Sequence, residues 1–220
     1  MNWSLFIEEL GKSQENLLIA FGVSSLSAIA SIILGTILGI IVGLALTYGH
    51  VINRILARLY TDIIRGVPLF VLIMAIFYIQ AASGFGMTAF QAGTLALAIF
   101  CASHVAENLR GALQAIPKGQ MEAAQSVGLT FLQCFFSVLL PQALRQMLPA
   151  WVNTAIEIVK GTTLLSVIGV AELLLATQRV ISRTYLSLEF YLFVGLVFYI
   201  LNFTIEQIGR AVERRLARHG

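Results

Sequence analysis

Charge is scarce in this sequence. Asp, Glu, Lys and Arg together make up 11% of the 220 residues, against 58% apolar side chains. A soluble domain carries about 25% charged residues, so a globule this poor in charge could not cover its own surface. A soluble enzyme and a disordered chain are thereby excluded. Cysteine is nearly absent: Cys101 and Cys134 stand far apart in apolar segments, which excludes a disulfide scaffold and leaves two small hydrophobes with free thiols. His50, His104 and His219 are scattered, with no metal-ligand spacing and no nucleophile–base pair around them. Gly11-Lys12-Ser13 ends like a phosphate loop, but the glycine required five residues before Gly11 is Phe6. The net charge of +3 comes without a basic patch interleaved with aromatics, so no nucleic-acid partner is indicated. The chain reads as an integral membrane protein whose first partner is the lipid bilayer.

A bilayer core of about 30 Å takes about 20 apolar helical residues to cross. Five runs meet that length, at 17–48, 63–82, 87–110, 147–176 and 186–208, and the fourth is interrupted by Glu157, Lys160 and Gly161. The expected architecture is one all-α transmembrane domain, a five-helix bundle over residues 1–220, with 111–146 as a loop on one side. Cations set its direction. Arg54, Arg58, Arg110, Lys118, Arg145, Arg210, Arg214, Arg215 and Arg218 would share one side, and only Lys12, Arg179 and Arg183 the other. The first side is therefore expected to be cytoplasmic, with the N-terminus outside and the C-terminus inside.

Small residues recur every four positions in the first run: Ser27, Ser31, Gly35, Gly39, Gly43 and Thr47. On a helix they form one smooth ridge against which another backbone packs closely, either within the bundle or on a second subunit. In the fourth run Glu157 and Lys160 are three residues apart and able to pair, either as a structural pair or on a substrate path. Gly161 is expected to break that helix. Thr162 and Thr163 would then cap a second half-helix over 164–176, whose positive N-terminal end would suit a carboxylate at mid-membrane. Glu107 or Glu157 would meet an ammonium group there. Glu172 would lie at an outer gate or touch an external protein.

The stretch 110–146 is expected to fold as a helix–turn–helix knob. Pro117 suits a helix start, 118–127 a short helix, and Gly128 its end. A second amphipathic segment over 130–140 would be stopped by Pro141. Glu122-Ala123-Ala124, followed by Gly128 and Leu140-Pro141, resembles the EAA loop of ABC-importer permeases. Ile64-Arg65-Gly66-Val67-Pro68-Leu69, Ala106-Glu107-Asn108-Leu109-Arg110-Gly111 and Lys160-Gly161-Thr162-Thr163-Leu164 resemble the polar amino-acid branch that takes up histidine, glutamine and arginine, lysine or ornithine.

That resemblance implies a permease subunit of an ATP-driven importer in a bacterial cytoplasmic membrane. Glu122, Ala123, Ala124, Gly128 and Pro141 would form the coupling element gripped by an ATPase. Glu107, Glu157, Lys160, Gly161, Thr162 and Thr163 would line the path of an amino acid. It further implies a second permease, identical or homologous, two ATP-binding subunits and an extracytoplasmic solute-binding protein. The chain itself would be non-catalytic and hold no cofactor, with ATP and Mg on the partner. An autonomous secondary transporter or channel is the alternative, but it needs an ion-coupling site and usually an internal repeat, and neither is visible.

Overall fold

The first apolar run belongs to a longer helix, α1 (Trp3–Tyr48), 46 residues and about 70 Å long at the usual rise. The computed structural model describes residues 2–217; Arg218 and His219, which figured in the sequence reading, lie outside the described residues. Every regular element among them is helical, in the order α1, α2 (Val51–Gly66), α3 (Leu69–Ala82), α4 (Ala89–Ala115), α5 (Lys118–Ser126), α6 (Phe131–Cys134), α7 (Leu140–Gly161), α8 (Leu173–Thr184) and α9 (Ser187–Ala217). Three helices are long and apolar enough to cross a membrane, or five if each of two bent pairs counts as one span.

Helix α4 is the hub. Ala92, Ala96, Leu97, Ala102, Val105, Ala106 and Leu109 on it are wholly buried, and α1, α2, α3 and α7 all pack around it. Its small side chains let α1 come close. A Cβ built on Gly39 would lie 2.6 Å from the Val105 Cβ and 2.8 Å from the Ala102 carbonyl oxygen, and one on Gly35 would lie 2.5 Å from the Cys101 Cβ. Ser27 shares a 3.0 Å hydrogen bond with Thr94, and Ser31 donates to the Thr94 carbonyl at 3.0 Å. The ridge of small residues is thus spent inside the chain. Cys101 and Cys134 are buried free thiols.

Three boundaries differ from the sequence reading. The second run is two helices: Pro68 pushes Val67 to φ −95°, ψ 133°, ends α2, and bends the path by 111° into α3. Pro141 does not stop the segment after the knob. A π turn over Phe135–Leu139, in which the Leu140 amide donates to the Phe135 carbonyl, widens the helix just before the proline ring, and the helix runs on as α7. Gly161 does not break α7 either. It keeps helical angles (φ −61°, ψ −23°), and the chain tightens into a 3-10 segment, Thr162–Ile168, before turning at Gly169 with φ 83°. Thr162 and Thr163 cap nothing: their hydroxyls donate backwards to the Val159 and Lys160 carbonyls at 2.8 and 2.7 Å. The later half-helix is α8, and it starts at Leu173.

Candidate functional site

The knob is built on its caps. Pro117 precedes α5 with φ −58°, ψ 135°, a conformation that proline's ring favours. The far end closes as a Schellman motif: the Gly128 amide donates to the Gln125 carbonyl at 3.0 Å and the Leu129 amide to Ala124 at 3.3 Å, with Gly128 at φ 84°. Thr130 and Gln133 then cap α6 reciprocally. Tyr48, at the end of α1, meets Phe131 and Phe135 edge-on at 5.4 and 5.6 Å, which seats the knob on the bundle. Within α5, Ala124 is buried while Glu122 and Ala123 face outward. Elsewhere on the knob Val127, Leu132 and Phe136 are 76%, 64% and 61% exposed.

The second candidate region is the outer face of α7. Asn153, Glu157 and Lys160 are all exposed along one face, at spacings of four and three residues. Glu157 and Lys160 are not paired with each other; neither takes part in an ion pair among the described residues. Gly161 borders that face, about 40° further round the helix than Glu157; an added Cβ there would lie 3.0 Å from Leu69 and 3.1 Å from Leu97, so its smallness serves the junction of α3, α4 and α7. Thr162 is buried and Thr163 half-buried. Leu97 lies eight residues into α4, about 12 Å from its N-terminal end. The charged face is therefore deep in the bundle, where an unpaired charge is costly unless it meets a cavity or a partner.

Glu107 is elsewhere and otherwise engaged. Arg110 grips one carboxylate oxygen at 2.6 and 2.8 Å and Arg58 of α2 reaches the other at 3.1 Å. The carboxylate ties α2 to α4, together with the Tyr60 hydroxyl, which donates to the Ile99 carbonyl at 2.7 Å.

Glu172 is wholly buried, and its carboxylate accepts from the Leu174 and Leu175 amides at 2.9 and 2.7 Å as the cap of α8. Its side chain is enclosed by the chain itself and is not offered at the surface. Sequence reasoning also missed three cross-helix links: Ser24 to the Leu173 amide at 3.1 Å, Trp151 to Thr36 at 2.9 Å and Asn108 to Thr154 at 3.2 Å. Ser24 was visible as a small polar residue just before the ridge. Asn153 was visible as the residue four before Glu157. The His104 ring lies 4.3 Å from that of Phe100, tilted by 38°, and among the described residues no group of His, Cys, Asp and Glu is arranged to hold a metal.

Residues 35–218 match the family model described as binding-protein-dependent transport system inner membrane component. The arginine transport system permease ArtQ of Bacillus subtilis is 32% identical over 98% of this chain and 97% of its own length. The glutamine transport system permease GlnP of Escherichia coli K12 is 34% identical over 78% and 80% respectively. Among solved structures, one described as an amino acid ABC transporter with histidines superposes with a TM-score of 0.87 at 30% identity, covering 94% of this chain and 96% of that one. The MetNI methionine ABC transporter, at 24% identity and a TM-score of 0.75 over 91% and 96%, shares the fold.

Proposed function

The chain belongs to the family of inner-membrane components of binding-protein-dependent transport systems, and from that premise we propose that it carries a polar amino acid across the membrane as one of two permeases driven by partner ATPases. The observation that carries this reading is the knob. Helix α5 holds Glu122 and Ala123 outward, the exposed Val127, Leu132 and Phe136 lie on the same knob, and beyond the Gly128 turn α6 runs on through the π turn into α7 without a break. A short rigid helix so mounted converts movement of a gripping partner into movement of α7, a hinge-type lever. Ala123 allows close seating, Glu122 faces a cationic group of the ATPase, and Gly128 makes the corner, while Pro141 lies within the continuous helix that leads into α7.

The relatives named for arginine and glutamine transport support an amino-acid cargo. The uncovered face with Asn153, Glu157 and Lys160 supports a second permease closing the path, with Thr163 at its far end and Glu157 meeting the α-ammonium group. Glu107, already held by two arginines, we assign to fixing α2, and Gly161 and Thr162 to packing. The excess of cations at the knob end supports a cytoplasmic knob and C-terminus, with the N-terminus outside. A solute-binding protein then delivers cargo at the outer end, and ATP with Mg acts only on the ATPase subunits.

The test is cross-linking from Ala123→Cys in the complex purified with its native neighbours. Capture of a nucleotide hydrolase is the expected result, and capture of none defeats the coupling role. Uptake that persists when ATP is depleted but stops when the ion gradient is dissipated would instead favour a secondary transporter.

A further inference from the structure

At the knob end of the bundle α1, α7 and α9 leave a groove of about 410 Å³ between them. Its walls are apolar, formed by Ile40, Leu144, Leu148, Trp151, Val212 and Leu216. The indole N–H of Trp151 is already satisfied by Thr36, so the floor asks for hydrocarbon and not for water. One charged side chain lines it: Arg145, which is exposed and makes no ion pair or hydrogen bond among the described residues. Among the described residues no carboxylate lines the groove.

We propose that this groove is a binding site for one anionic glycerophospholipid of the surrounding bilayer, with an acyl chain against Trp151 and the phosphate on Arg145. Three observations single out that occupant. The lining pairs a hydrocarbon slot with one unopposed cation, which is the charge pattern of such a lipid. At 3.6 residues per turn, Leu144, Leu148 and Trp151 lie on the side of α7 opposite to Asn153, Glu157 and Lys160. The second permease, on the reading proposed above, takes that polar face and leaves the groove to lipid. The end of the bundle is also right, because the guanidinium lies where the cations of the chain gather, at the headgroup level of one leaflet. An occupant there wedges α7 just above the π turn that joins it to the knob, so lipid headgroup charge bears on the coupling lever.

The test uses Trp151 as its own reporter. The chain has two tryptophans, so Trp3→Phe leaves Trp151 alone. The full chain is reconstituted in vesicles of phosphatidylcholine containing either brominated phosphatidylglycerol or brominated phosphatidylcholine at equal mole fraction. Quenching of Trp151 is expected to show a preference of about fivefold for the anionic lipid, the effect of one arginine at a headgroup. Arg145→Gln should abolish the preference and Arg145→Lys retain it. Val212→Phe fills the slot from α9 without touching Arg145, and should reduce quenching by both lipids. Equal quenching by the two lipids, an unchanged preference in Arg145→Gln, or a Trp151 that neither lipid reaches because protein covers it, would each overturn the proposal. Cross-linking at Ala123 reads the coupling role separately, so failure of either idea leaves the other legible.

Discussion

Ser24 on α1 completes the cap that Glu172 sets on α8. The carboxylate takes the amides of Leu174 and Leu175, and the serine hydroxyl oxygen takes that of Leu173, so three of the four open donors of the helix are satisfied in a buried place. Glu172→Ala strips two of them and should cost about 1–3 kcal/mol. Glu172→Gln keeps one acceptor and should cost less. Thermal unfolding in detergent orders the variants; equal midpoints would mean that the cap contributes nothing.

The α1–α4 contact permits a paired comparison. A methyl group at Gly39 would press on the Ala102 carbonyl, which is backbone and cannot swing aside, whereas one at Gly22 meets nothing within 4 Å. Gly39→Ala should therefore destabilise by about 1–3 kcal/mol, while Gly22→Ala, relieved of glycine's helix penalty, should gain up to about 1 kcal/mol. Opposite shifts in unfolding midpoint are expected; shifts of the same sign would show that the helices are not held by backbone proximity.

These two regions show why parts of the molecule could be read from sequence and others not. The ridge from Ser27 to Gly43 was legible because a four-residue period of small side chains has one geometric meaning; which helix it met was not, because α4 advertises itself only as another apolar run. The turn at Gly128 was legible because its sequence context called for a residue with φ above zero. Gly161 misled for the converse reason. A glycine next to charges reads as a break, yet here its missing side chain makes room for Leu69 and Leu97, and the true turn is eight residues on at Gly169. Pro141 misled because the π turn that accommodates it has no signature in the local sequence. Glu172 was not legible as a cap because the two amides that donate to it lie on its own helix, whose start could not be placed.

At Gly128 the space around the α-carbon is open and only the backbone angle is demanding. Gly128→Asn should be tolerated, because asparagine visits the left-handed region, while Gly128→Val should cost about 1–2 kcal/mol and tilt the knob. In the assembled transporter the valine variant should keep its ATPase partners but lose uptake per ATP hydrolysed. Normal coupling in Gly128→Val would remove the corner from the mechanism.

The Glu107 cluster separates a tie from a ligand. Arg58 is partly exposed and Arg110 keeps its own two contacts with the carboxylate, so Arg58→Ala should cost no more than about 1 kcal/mol. It should leave the concentration dependence of uptake unchanged. A large rise in KM in this variant would place the cluster on the transport path.

Glu157 makes the opposite prediction. It is uncovered at depth and makes no ion pair among the described residues, so its effect should appear in transport and not in folding. Glu157→Gln should leave the unfolding midpoint and subunit assembly unchanged, yet raise KM for uptake by roughly ten- to a hundredfold, the equivalent of one lost charge-assisted hydrogen bond of about 1.5–3 kcal/mol. Leu148→Ala on the far side of α7 is the control, since it alters packing in the groove without approaching the charged face, and uptake should keep its KM. If Glu157→Gln transports with an unaltered KM, the α7 face is an interface between subunits and the cargo runs elsewhere.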